Sequence, residues 1–200
     1  MAPPVDARGP FERSASGRSG AIDYRDPMDA RPVLELIGAA QPVRPFTFVG
    51  IGGRGGSGKT TLASRIAGAQ VVGTDEFWDG EGFELSRLRV EVFEPLLSGR
   101  AARYAGWDWD ARRPGDERTV EPQGLVVVEG VCALHRMFRD AYDVRVWVEA
   151  PYETRLARGV ARDGEAARAT WVERWMPMED RYVERDDPVA CADLVVDGDR

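Results

Sequence analysis

Gly53-Arg54-Gly55-Gly56-Ser57-Gly58-Lys59-Thr60 fits the spacing G-x-x-x-x-G-K-[ST], with an apolar run at 46–51 before it and a helical pattern at 60–67 after it. Glycines let successive backbone N–H groups turn inward on an anion, and a helix starting at the loop adds the partial positive charge of its N-terminus. The Lys59 ammonium is a compact, mobile point charge suited to the outer phosphates of a nucleoside triphosphate, and the Thr60 hydroxyl suits Mg2+. With Thr61, these residues form the expected phosphate-binding loop. Strand, glycine loop and helix in that order predict an α/β domain whose ligand sits at strand ends.

The chain outward from the loop supports that reading. Short apolar runs at 46–51, 71–74, 125–128, 144–148 and 194–196 read as strands. Helical patterns fall at 32–40, 60–67, 85–96, 151–162 and 166–183, the last interrupted by Pro177. Strands alternating with helices imply a parallel sheet covered on both faces. Residues 98–123 form the least regular stretch, long enough to suggest a functional excursion.

At 200 residues the chain is expected to hold one domain, at 30–200. Residues 1–29 are rich in Pro, Gly, Ser, Arg and Asp and are expected to be a flexible tail. The net charge of −7 and the lack of a basic block argue against a nucleic acid polymer as partner. Neither a signal peptide nor an eighteen-residue apolar run is evident, so no membrane association and a cytoplasmic location are expected. Cys132 and Cys191 lack zinc-type spacing and read as reduced thiols.

Of the 27 basic residues, only Lys59 is a lysine. A Schiff-base role is therefore excluded if Lys59 serves phosphate, and no second lysine exists for a guanine-reading N-K-x-D motif.

Two carboxylates and a set of three arginines carry the expected chemistry. Asp75, after the 71–74 strand, is placed to accept a proton from an attacking hydroxyl or to hold Mg2+ through water. Glu129 ends the run Leu125-Val126-Val127-Val128 as a Walker-B-type residue does, to bind Mg2+ through water or orient Thr60. Arg155, Arg158 and Arg162 recur at helical spacing, giving either a phosphate-facing or a solvated basic face. Trp78, Phe83, Tyr104, Trp107 and Trp109 cluster in the irregular segments, as a platform for a planar substrate or as a small satellite core. His135 reads as a structural histidine on a short helix, and Trp171 with Trp175 as helix packing.

Taken together these residues resemble the uridine kinase-like family of P-loop kinases, within the nucleoside and nucleoside-monophosphate kinase fold. The resemblance spans roughly residues 46–198. It rests on the loop through Thr61, on Thr74-Asp75-Glu76-Phe77-Trp78 against a D-x-F-Y segment, and on Tyr104-Ala105-Gly106-Trp107-Asp108-Trp109 against a Y-D-Y/W segment. Val128-Glu129-Gly130-Val131, Arg155-Leu156-Ala157-Arg158 with Arg162-Asp163, and Ala192-Asp193-Leu194-Val195-Val196 complete it.

The resemblance implies a three-layer P-loop NTPase fold with a five-stranded parallel sheet in the order 2-3-1-4-5. It also implies ATP and Mg2+ as cofactors and Asp75 as general base. Thr60, Glu129 and Asp75 would surround the metal, and Arg158 and Arg162 would be lid arginines; apart from the resemblance, the aromatic cluster is expected to take over base recognition, with Trp78, Tyr104 and Trp109 facing the substrate. Two positions depart from the family pattern. Asp110-Ala111-Arg112-Arg113 stands where a base-reading histidine often follows the aromatic segment, and Gly159 stands where an arginine often follows Arg158. The expected activity is transfer of the γ-phosphate to a hydroxyl, of a uridine- or cytidine-like nucleoside. The alternatives are a kinase for another small alcohol and an ATP-binding regulatory protein without transferase activity.

Overall fold

The computed structural model describes residues 29–79, 82–109, 111 and 113–199. The tail expected at 1–29 lies, Asp29 apart, outside the described residues, as do Asp110 and Arg112.

Five parallel strands form the central sheet: β1 (Phe46–Gly53), β2 (Ala69–Gly73), β5 (Gly124–Glu129), β6 (Val144–Glu149) and β7 (Leu194–Asp197). They lie in the order β2-β5-β1-β6-β7, which is 2-3-1-4-5 when only the strands of this sheet are numbered. Val49 pairs with Val127 on one side and Val144 on the other, so β1 is the central strand. Strands buried on both faces read as continuous apolar runs, which is why β1, β5 and β6 stand out in the sequence.

Alternate side chains build two cores. Phe48, Val126 and Val128 face one layer, containing Leu88, Val92, Phe93 and Leu96 of the helical segment formed by α3 (Leu85–Leu88), a π turn (Arg89–Phe93) and α4 (Glu94–Leu97). Val49, Ile51, Val127 and Val146 face the other, against Val33 of α1 (Arg31–Ala39) and Leu62 and Ala63 of α2 (Lys59–Ser64). No helix among the described residues is long and apolar enough to cross a membrane.

The structure corrects three expectations. The stretch at 98–123 is not irregular: it folds as an antiparallel pair, β3 (Ala102–Asp108) with β4 (Arg113–Val120), bulged between Ala105 and Trp107. Its strand β4, Arg-Pro-Gly-Asp-Glu-Arg-Thr-Val, is almost wholly exposed and carries no period-two apolar signal. Such a strand exists through its pairing with β3, and its Pro114 is tolerated because the ribbon leaves an unpaired edge.

Pro177 does not interrupt the last helical region. α6 (Arg168–Thr170) passes through a π turn (Trp171–Trp175) into α7 (Met176–Asp186). A proline clashes with the carbonyl four residues back, and here that residue, Glu173, lies in the widened turn. Pro95 and Glu91 repeat the arrangement in the α3–α4 segment.

His135 lies in irregular turns after β5, not on a helix. Its ring stacks on Tyr182 at 6.3 Å and its Nε2 is 3.6 Å from Asp186.

Candidate active site

The glycine loop joins β1 to α2, and its shape is fixed from behind by helix α5 (Tyr152–Asp163) and by α7. Gly56 has φ 74°, and a Cβ there would lie 2.5 Å from the Arg155 carbonyl oxygen. Only glycine fits both the left-handed backbone and that approach. The Gly55 N–H donates to Glu179 Oε1 at 2.9 Å, and Arg155 lies 3.4 Å from Glu179 Oε2. Both side chains are buried, so α7 supplies an internal carboxylate that holds the loop and is answered by α5. Arg54 reaches sideways to Asp180 at 2.9 Å and Glu149 at 3.2 Å.

Lys59 is 4% exposed and its Nζ donates to the Arg54 carbonyl at 2.9 Å. Burial draws its ammonium pKa below the ordinary lysine value, against the opposing pull of Glu129 and Glu179. Burial likewise pushes the Glu179 carboxyl up, while Lys59 and the Gly55 N–H act to hold it down.

Thr60 Oγ1 donates to Glu129 Oε1 at 2.9 Å, which ties the first turn of α2 to the end of β5. Asp75 follows β2 in a 3-10 turn (Thr74–Phe77). Two cavities meet on these three residues. One, of about 320 Å³, is lined by Gly56, Gly58, Lys59 and Thr61 of the loop, by Arg158 and Arg162, and by Thr60, Asp75 and Glu129; Gly53, Arg54, Gly55 and Ser57 of the loop are not in its lining. The other, of about 450 Å³, is lined by Trp107, Trp109, Glu76 and Arg118, and again by Thr60, Asp75 and Glu129. A cationic, amide-rich chamber thus adjoins an aromatic, acidic one across a shared pair of carboxylates and a hydroxyl.

No family model matches the chain. It is 26% identical over 171 residues to the uridine kinase of Halobacterium salinarum, covering 70% of this chain and 76% of that protein. It is 24% identical over 169 residues to the uridine kinase of Macrococcus caseolyticus, covering 69% and 82% respectively. The crystallised protein described as a possible uridine kinase from Bacillus stearothermophilus shares the fold, with TM-score 0.64 and 19% identity over 83% of this chain and 96% of that one. The chain is thus similar to uridine kinases in sequence and to a possible uridine kinase in fold.

Arg158 and Arg162, the two arginines expected as lid residues, line the first of these cavities. Arg158 donates to the carbonyls of Gly198 at 2.8 Å and Gly56 at 3.3 Å. Arg162 is held by both carboxylate oxygens of Asp163 and lies over the Trp171 ring. Arg155 does not share their face: it turns under the loop to Glu179 and Ala150.

The aromatic residues divide. Trp109 and Trp107 line the second cavity. Tyr104 and Trp78 do not: Tyr104 is 3% exposed and packs on Phe77, and Trp78 is 4% exposed and packs on Phe83 and Trp109. For these two the structure corrects the expected substrate contact: Tyr104 turns inward from β3 onto Phe77, and Trp78 is covered by Phe83 and Trp109. Burial and the nearby Glu76 carboxylate push the Tyr104 hydroxyl well above the ordinary tyrosine pKa.

Glu179, Glu76 and Arg118 are the site-building residues that sequence reasoning missed. Glu179 had a signal, since Trp171, Trp175 and Glu179 recur every four residues and two of the three are large apolar rings. Trp171 is fully buried and Trp175 nearly so, packed edge to face at 5.2 Å as expected. Arg118 had none, because its strand was not legible.

Proposed function

We propose that the protein is a kinase that uses ATP with Mg2+ and transfers the γ-phosphate to a hydroxyl of a nucleoside such as uridine or cytidine. The observation that carries this reading is the position of Asp75, on the wall shared by the phosphate-side and the aromatic chambers. A protein that only bound or hydrolysed a nucleotide would need the first chamber alone.

In this reading the loop amides and Lys59 take the β and γ phosphates. Asp75 accepts the proton of the acceptor hydroxyl as it attacks, and Arg158 and Arg162 offset charge gathering on the transferred group. Thr60 and Glu129 would hold Mg2+, which when bound neutralises phosphate charge. Among the described residues no three His, Cys, Asp or Glu side chains cluster as a metal cage. The donor set suits Mg2+ nonetheless, because this ion keeps waters and phosphate oxygens and needs only one or two protein ligands. Residues 30–200 would act as one kinase domain, working in the cytoplasm where ATP is supplied.

Asp75→Asn tests the assignment. ATP binding should survive, and uridine-stimulated ADP release should fall by about 10²–10⁴-fold, the usual contribution of a general base. Transfer near the wild-type rate would remove Asp75 from the role. An acceptor panel read with labelled ATP separates nucleosides from sugars and other small alcohols.

A further inference from the structure

The aromatic chamber is polar in a specific way. Its wall carries the carboxylates Asp75, Glu76 and Glu129, and among the described residues Arg118 is its one basic side chain. Arg118 is already engaged: one nitrogen is hydrogen-bonded to Glu76 Oε2 and another donates to the Val71 carbonyl at 3.1 Å. Its guanidinium also lies over the Tyr104 ring, 5.6 Å from the centroid. Glu76 is fixed in turn, accepting from the Gly73 N–H at 2.9 Å and from the Tyr104 hydroxyl at 3.2 Å. The carboxylate that neutralises Arg118 is therefore anchored to the end of β2 and to β3, and the pair does not depend on a flexible contact.

We propose that the Glu76–Arg118 pair sets the charge class of the acceptor, admitting planar alcohols without negative charge and excluding those that carry a carboxylate. This rests on the nucleoside kinase reading above. A carboxylate entering the chamber lined by Trp107 and Trp109 meets an excess of acidic groups in surroundings less polar than water, where like charges repel strongly. The single cation that could receive it is held by Glu76. Specificity of this kind comes from a repulsive element as much as from an attractive one.

The substitution Glu76→Gln isolates the charge. A glutamine oxygen still accepts from the Gly73 N–H, but its amide nitrogen is a donor and does not pair with a guanidinium. Arg118 then becomes available to an anion. Arg118→Gln acts in the opposite sense, leaving the chamber more acidic.

The full-length protein is assayed with ATP and with uridine or orotidine, a uridine bearing a carboxylate on its ring. ADP release gives kcat/KM, and quenching of tryptophan fluorescence gives binding without requiring transfer. The wild type should favour uridine by about tenfold or more. Glu76→Gln should raise the orotidine-to-uridine ratio by about tenfold, and Arg118→Gln should lower it. An unchanged ratio in Glu76→Gln, or equal quenching by the two nucleosides in the wild type, overturns the proposal. Selective quenching without ADP release refutes the kinase reading and leaves the charge selection standing. Absence of both quenching and turnover with either nucleoside overturns both.

Discussion

Gly159→Ala sets local propensity against packing. In a helix interior alanine is more stable than glycine by about 1 kcal/mol, so from the sequence of α5 alone the substitution should stabilise. In the folded protein a Cβ at 159 would lie 2.4 Å from Trp171 Cε2 and 2.5 Å from Cζ2, against ordinary contacts of 3.4 Å or more. The indole must withdraw by about 1 Å to reach normal carbon–carbon separation. It has little room, since Trp171 is fully buried, its Nε1 donates to Asp163 at 2.9 Å, and its far edge abuts Gly55 of the phosphate loop. Overpacking of this kind costs about 1–3 kcal/mol. Less the propensity gain, the net is a loss of about 1 kcal/mol, or about 2–4 °C in Tm for a chain of this size. Urea unfolding of Gly159→Ala, Trp171→Leu and the double variant measures the effect and its coupling. The double variant should recover most of the clash, and the KM for ATP should rise in the single variant because the displaced ring presses on the loop. A Gly159→Ala protein about 1 kcal/mol more stable than wild type would refute the packing argument.

Two further substitutions probe the charge arrangement. Lys59→Arg preserves charge but places a larger planar group where the lysine is 4% exposed, and transfer should fall by at least about 10²-fold in the ADP-release assay; an active variant would make the lone lysine incidental. Burial alone would raise the Asp186 carboxyl, but hydrogen bonds from Arg136 at 2.6 Å and Arg185 at 2.7 Å outweigh it and hold its pKa below the ordinary aspartate value. A depressed folded-state pKa gives stability that is present above about pH 3.9 and is lost as pH falls through the folded-state value. Urea midpoints measured from pH 6 to pH 2 should therefore drop less steeply for Asp186→Asn than for wild type, and parallel curves would count against the cluster.

How much was legible in the sequence follows from the range of each interaction. Residues 53–60 determine a loop, an anion cradle and the helix behind it, because glycine conformations and the lysine ammonium act within a few residues of themselves. The inner strands β1, β5 and β6 are legible because burial on both faces makes each a nearly continuous apolar run, the edge strands β2 and β7 as shorter apolar runs, and Asp75 and Glu129 because they follow or end such runs. Gly159 was visible only as a departure, and it is the Trp171 ring lying against it that explains the glycine.

The remainder depends on partners far away along the chain. Arg118 meets Glu76 across 42 residues, Glu179 meets Gly55 across 124, and β4 exists because β3 pairs with it. No local pattern encodes such contacts, since a polar residue looks the same in sequence whether solvent or a buried donor awaits it. By itself, then, the sequence determined the sheet, the phosphate cradle and the residue types at its mouth. Tertiary structure decided which aromatic rings line the second chamber, which arginines line the first, and which carboxylate is spent holding a cation. Those outcomes turn on where a side chain points after distant elements pack, and packing, unlike backbone preference, is settled only when the whole sheet has closed around it.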